Sequence, residues 1–548
     1  MKFLHLILFS ALTTCISFGA EPTPTLKSDT SKKPALLKDS LISKVKNDAL
    51  PGPSIKAKGG AYASGDHSFI VEDEIIMPLW KMNKLFLYQV RKDNTPFVRE
   101  TGQQVEALNS LDELRVDYEF SEDIALRTGG AYQRSLQADS VGREEAFKAI
   151  IGAGTPYRSL GKRLEWYAEA GPYIGTDNVD ADWFLDGFVR YRVWDLYFLE
   201  GSKNISHRPG LDIEAKVVTA NEGTDIGYLA EVGPTFGITT VNGSRLDLFA
   251  HYYGNHDNDF YMQNDDGVLF GFAIESRRET PLGTTIADWR DGDILSKVWG
   301  QYDIGFGFDG DYLDQFNVHA DIFNFQMAGQ PVTFYLDYAN RRFYGGGSDF
   351  DNSLYDVDLG LRTPLEMTDG WEIMSNGQPL LVGAELFHRS DHVFDADAAL
   401  VASQNKASSG YPNRYDKEGS INQLPRVKIT TTGWQSPYAH PEIFEQRTAW
   451  INQFEWMFAM GLTVLSSGDR PLISSEAGLN WNIATIEGYV PYLKGQGGFG
   501  AASPEMLFET GFQRPAYKVF FRWEDYGLDK TISGGRDKVY YGGLGLHL

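Results

Sequence analysis

The sequence predicts an all-β protein of antiparallel strands, and three observations carry that reading. Apolar and polar residues alternate with a period of two, in run after run, from about residue 55 nearly to the end. This is the pattern of a sheet with two chemically different faces. Helical periodicity is nearly absent. Turn dipeptides separate the runs, among them Asn242-Gly243, Asp266-Gly267, Asp291-Gly292, Asp369-Gly370 and Asn376-Gly377.

In chain order, the first stretch is MKFLHLILFSALTTCISFGA, a lysine followed by an apolar run and small residues. Residues 1–19 read as a secretory signal, with Ser17 and Gly19 placing the cut before Ala20. The only cysteine, Cys15, lies inside it behind a poor approximation to a lipoprotein cleavage box, so the mature chain is expected to carry no disulfide. Residues 20–54 are rich in lysine, proline, serine and threonine and read as a flexible leader.

The strands follow. Leu114, Val116, Tyr118 and Phe120 alternate with Arg115, Asp117 and Glu119, and Trp183 to Val193 alternates with Arg190 and Arg192 on the opposite face. Leu211, Ile213, Ala215 and Val217 are separated by Asp212, Glu214 and Lys216. The pattern recurs from Tyr302, Val332 and Tyr355, and ends in Tyr517 to Trp523 alternating with Arg522 and Glu524. It fades only between 390 and 445, which reads as one long loop.

The chain's 50 basic and 74 acidic residues give a net charge of −24, which excludes a nucleic-acid partner because phosphate binding needs clustered lysine and arginine. The longest apolar run after the signal, Met457 to Leu465, is far short of the ~20 residues a membrane helix needs. Barrel strands need only ~10 residues each, and period-two alternation alone does not separate a wall facing lipid from one facing a core.

Several motifs look chemical. GQGGFG (Gly495, Gly497, Gly500) has phosphate-loop spacing, but no helix follows, and a glycine-rich turn explains it. His388 and His392 have a metal-ligand spacing but sit at a strand end. The Asn255–Asp259 and Asp177–Asp182 runs lack the distal glutamate of a calcium loop. GxSxG and HExxH are both missing, so the sequence calls for no cofactor, no metal and no enzymatic site.

A signal peptide, ten-residue alternating strands, 14% aromatics, an acidic cysteine-free mature chain and a final strand ending on an apolar residue together resemble a Gram-negative outer-membrane β-barrel of the porin-like kind. The resemblance spans about residues 55–548 and is one of architecture. It implies a single antiparallel transmembrane β-barrel of about 16 to 20 strands, closed by pairing of the last strand with the first. It further implies Arg190, Arg192, Asp212, Glu214, Lys216, Arg522 and Glu524 along an aqueous lumen, which the 390–445 loop would constrict or cover. Tyr540, Leu544, Leu546 and Leu548 resemble the C-terminal signal read by the barrel-assembly machinery, with leucine in place of the usual final phenylalanine. The partners implied are outer-membrane lipid, that machinery and small solutes. The function implied is a channel; a surface adhesin or structural barrel, and a hydrolase barrel using His388 and His392, stand as alternatives.

Overall fold

The computed structural model describes residues 53–547 except 63–66, 101–102, 138–142, 158–162, 177–181, 196–206, 223–224, 241–243, 257–264, 278–290, 308–311, 345–350, 366–376, 394–419, 435–439, 441, 466–471, 500–505 and 526–537. The signal and nearly all of the leader lie outside the described residues.

The first half contains β1 Ser54–Tyr62, β2 His67–Met82, β3 Leu85–Glu100, β4 Gln103–Glu119, β5 Ala125–Gln137, β6 Arg143–Gly154, β7 Leu164–Thr176, β8 Asp182–Asp195, β9 His207–Glu222, β10 Asp225–Thr240, β11 Ser244–His256 and β12 Asp265–Arg277. The second contains β13 Ile294–Gly307, β14 Tyr312–Met327, β15 Gln330–Tyr344, β16 Asp351–Leu365, β17 Leu380–Val393, β18 Ser420–Thr430, β19 Thr448–Leu465, β20 Leu472–Ile486, β21 Val490–Phe499, β22 Met506–Gln513, β23 Tyr517–Asp525 and β24 Lys538–His547. A one-turn helix, α1 (Glu442–Glu445), precedes β19.

The expectation of an antiparallel all-β barrel holds, but not that of one barrel with 16 to 20 strands. There are two closed barrels, β1 to β12 and β13 to β24. β1 pairs with β12, from Ser54↔Arg277 to Tyr62↔Leu269. The last strand, β24, pairs with β13, from Gln301↔His547 to Gly307↔Tyr541, and not with the first strand of the chain. The physical reason is that alternation fixes which residues share a face, whereas closure is decided by partners hundreds of residues apart. Either closure removes free edges and satisfies every wall strand.

Two further readings are corrected. The 390–445 interval is not loop throughout, because β17 runs to Val393, β18 occupies Ser420–Thr430 and α1 follows. Its polar composition misled because β18 is irregular, with register shifts against both neighbours. Gly495 and Gly497 belong to β21 and not to a turn, and Asp266-Gly267 lies within β12.

The hairpins β2–β3, β14–β15 and β20–β21 close through short turns at one end of the barrels, hereafter the turn end. Ala328-Gly329 and Glu487-Gly488 have positive φ at both central positions, 53° and 79° and then 52° and 79°. That is the type I′ geometry matching strand twist, with glycine at the second position. Connections at the opposite, loop end fall mostly outside the described residues.

The barrels lie side by side. Ile55, Ala57, Ile75, Met77 and Ile274 of the first pack with Val298, Tyr302, Phe316, Val318, Leu336 and Tyr338 of the second in one buried apolar cluster. Leu546 packs against this seam.

Candidate functional site

Polarity is inverted relative to a soluble protein. Large apolar side chains point outward and are exposed around both walls, among them Ile174 (64%), Trp183 (62%), Leu248 and Phe270 on the first barrel and Phe458, Met460, Ile473 (68%) and Phe508 on the second. Charged side chains of the intervening positions are buried inside. A continuous exposed apolar belt in water is strongly unfavourable, and apolar-out, polar-in alternation is the pattern of a barrel wall in lipid.

The first interior is held by ion pairs between strands. Arg190 of β8 meets Glu214 at 2.8 Å and Glu165 at 3.2 Å, with Asp247 at 3.6 Å. Arg192 and Arg245 share Asp212. Arg115 grips Glu169 through two bonds of 2.6 and 2.9 Å, while Lys58 of β1 reaches Glu231 of β10 at 2.7 Å. Between these pairs lies a cavity of about 240 Å³ bordered by Arg190, Glu214 and Lys216.

The second interior holds a cavity of about 260 Å³ bordered by Arg522. Arg522 reaches Asp303 at 2.7 Å, Glu509 at 2.6 Å and Gln315 of β14 at 2.8 Å, and Glu524 at 3.8 Å. Glu524 also meets Arg341 of β15 at 3.3 Å. The seven charged residues singled out from the sequence are therefore divided between two interiors.

At its turn end this second interior is entered by the segment between β18 and β19. Glu455 is its anchor, accepting the Gly433 N–H at 3.1 Å and facing His440 Nε2 at 3.2 Å. His440 Nδ1 faces Glu442 at 3.2 Å. Burial disfavours the imidazolium, but the hydrogen bond and charge of Glu455, with Glu442, outweigh it and raise the His440 pKa above its ordinary value. Trp434 lies against the wall at Gly478, where a Cβ would come within 2.2 Å of the ring, and Lys494 Nζ sits 4.9 Å from the ring centre. Ile443 and Phe444 pack on Val490. Part of the interval expected to constrict a lumen thus lines one, while residues 394–419 lie outside the described residues.

The seam carries charges that the sequence reading missed. Arg91 of β3 pairs with Asp314 of β14, and Arg342 of β15 with Asp93 of β3. Asp73 accepts from Tyr338 and Asn340 at 2.9 Å each. A signal was present: Glu72-Asp73-Glu74 and Arg91-Lys92-Asp93-Asn94 are polar on both faces, as a wall flanked on each side by protein allows.

Of the C-terminal residues, Tyr540 is exposed, Leu544 is half-buried between Ile304 and Val519, and Leu548 lies outside the described residues. His388 pairs in register with Val357, and among the described residues no group of three or more histidine, cysteine or acidic side chains could hold a metal.

The chain matches no protein-family model and none of the curated proteins. Among solved structures it is similar to the siderophore receptor PirA from Pseudomonas aeruginosa (9% identity, 91% of this chain and 80% of that one, TM-score 0.33). It is similar also to the hemophore receptor HasR of Serratia marcescens (8%, 92% and 81%, 0.30) and to the outer membrane transporter YddB from Escherichia coli (7%, 91% and 81%, 0.28). At these scores the likeness is too loose to transfer a ligand or a mechanism.

Proposed function

We propose that the protein is a Gram-negative outer-membrane transport protein that passes small hydrophilic solutes through a charged barrel interior. The observation that carries this reading is the inverted polarity, with apolar belts outside and cavities lined by charge inside. Charges of both signs favour small polar solutes, and the conduit is narrow, because twelve strands lie between the roughly eight whose interior side chains fill and the 16 to 18 that leave an open aqueous channel. Arg190, Arg192, Asp212, Glu214, Lys216, Arg522 and Glu524 are the proposed interior determinants, and Tyr540, Leu544, Leu546 and Leu548 the proposed assembly signal.

Purified protein in planar bilayers tests the reading. Small single-channel steps are expected, and Arg522→Ala should alter their ion selectivity. The cross-lumen ion pairs favour a second reading, a structural or adhesive surface barrel. Correctly folded protein that conducts nothing, with cell attachment lost when loops are deleted, would select that reading.

A further inference from the structure

One cation in the second interior has no anion. Among the described residues at the border of its cavity, Arg341, Arg389, Arg426, Lys428, Lys518 and Arg522 each form an ion pair with a carboxylate. Lys494 of β21 borders the same cavity and forms none with any described residue.

The wall explains why. Lys494 stands in register between Asn480 of β20 and Glu509 of β22, and all three side chains border the cavity. Glu509 would be its counter-ion, but that carboxylate already receives Lys518 at 2.9 Å, Arg522 at 2.6 Å and the Tyr492 hydroxyl at 2.7 Å. Asp303 is taken by Lys518 and Arg522, and Glu524 by Arg522 and Arg341. Four cations therefore stand against three carboxylates, and the surplus charge falls on Lys494. The next acids are committed as well, Glu476 to Arg426 at 2.9 Å and Glu455 to the Gly433 N–H and His440. The sequence of residues 435–439 and 441, between Trp434 and Glu442, contains no acid.

What Lys494 does meet is the Trp434 ring, whose centre lies 4.9 Å from the ammonium. A cation–π contact stabilises the ammonium without neutralising it. Asn480 is uncommitted too, since its side chain makes no hydrogen bond among the described residues although Oδ1 is buried. An ammonium carries three N–H donors and an amide two. Unused donors beside uncompensated positive charge match an oxyanion, which accepts strong charge-assisted hydrogen bonds.

We propose that Lys494 and Asn480 form a subsite in the second interior for the carboxylate or phosphate group of a small solute, with Trp434 as its apolar flank. That a solute reaches the subsite rests on the transport reading given above.

The test titrates the full protein in detergent, at constant pH, with potassium acetate and separately with potassium phosphate, each against potassium chloride of equal ionic strength. Trp434 emission, taken as the difference from Trp434→Phe, is the readout, because an anion at Lys494 changes the charge beside the ring. A saturable change is expected; acetate alone assigns a carboxylate, phosphate alone a phosphate, and both together a site for either. Lys494→Met should weaken the response by about tenfold, the loss of one charge-assisted bond, and Asn480→Leu by about threefold, while Lys494→Arg keeps it. Heat-modifiable gel migration checks folding, and Lys494→Gln serves if Lys494→Met does not fold. No saturable change with either oxyanion, a change that chloride reproduces, or an undiminished response in Lys494→Met overturns the subsite. Bilayer conductance separates the two readings. A protein that conducts without the saturable response keeps the transport reading and loses the subsite, whereas a Lys494-dependent response in a protein that conducts nothing keeps the subsite and loses the transport reading.

Discussion

At the scale of single residues, the inward segment of the second barrel depends on Glu455. Its carboxylate faces both a backbone N–H and the His440 imidazole, so the segment is held most firmly when His440 is protonated. Because the folded pKa is raised, this contribution is fully present below the unfolded value of about 6.5 and fades as pH rises through the higher folded value. Trp434, seated in the niche at Gly478, reports on the docking. Acrylamide quenching of the Trp434 signal, taken as the difference from Trp434→Phe, should increase between pH 6 and 9. His440→Gln should abolish that dependence, and an equally steep rise in His440→Gln would show that another group controls it. None of this was legible in the sequence. A histidine and a glutamate fifteen positions apart on either side of a short helix meet only because the segment turns into the lumen, and lumen entry leaves no periodic signature.

Elements were more readable. The alternations at Leu114–Phe120, Trp183–Val193 and Tyr517–Trp523 place those side chains on the faces they occupy, because a pleat leaves no other choice. Turns were less so, since Ala328-Gly329 and Glu487-Gly488 offer only a glycine as a signal and Asp266-Gly267 sits in a strand. β18 was lost among polar residues and irregular pairing. The seam strands β2, β3, β14 and β15 lie between these cases, with a double-faced polarity that was visible but unassigned. Their buried charges yield a prediction. Arg342→Ala leaves Asp93 with Arg91 alone, at 3.3 Å, and takes away the cation facing Asp73 at 3.8 Å; removing one partner of a buried pair costs up to about 3 to 5 kcal/mol. The double change Arg342→Leu with Asp93→Leu should recover most of that loss, because two apolar groups suit the surrounding cluster. Urea or guanidinium unfolding in detergent measures both. If the single substitution costs under about 1 kcal/mol, the pair is solvated and the seam is not a packed interface.

For the whole molecule, strand character was legible and closure was not. The periodicity is the same on both sides of residues 278–290, and nothing local states that β12 turns back to β1 while β13 waits for β24. Two small barrels and one large one obey the same face chemistry; they differ only in which distant strands exchange hydrogen bonds, and hence in lumen width. The twelve-strand closure is what makes the interiors narrow enough to be crossed by ion pairs. A cysteine-pair measurement decides it most directly, since Cys15 is the chain's only native thiol. In a Cys15→Ser background, Ala61→Cys with Phe270→Cys tests β1 against β12, Phe306→Cys with Gly542→Cys tests β13 against β24, and Ala61→Cys with Gly542→Cys tests a single closure. Cross-strand partners lie about 4.5 to 5.5 Å apart between Cα atoms, within disulfide reach. Two separate barrels predict that oxidation of the folded protein joins the first two pairs and not the third; joining of the third pair, with the first two left reduced, would contradict them.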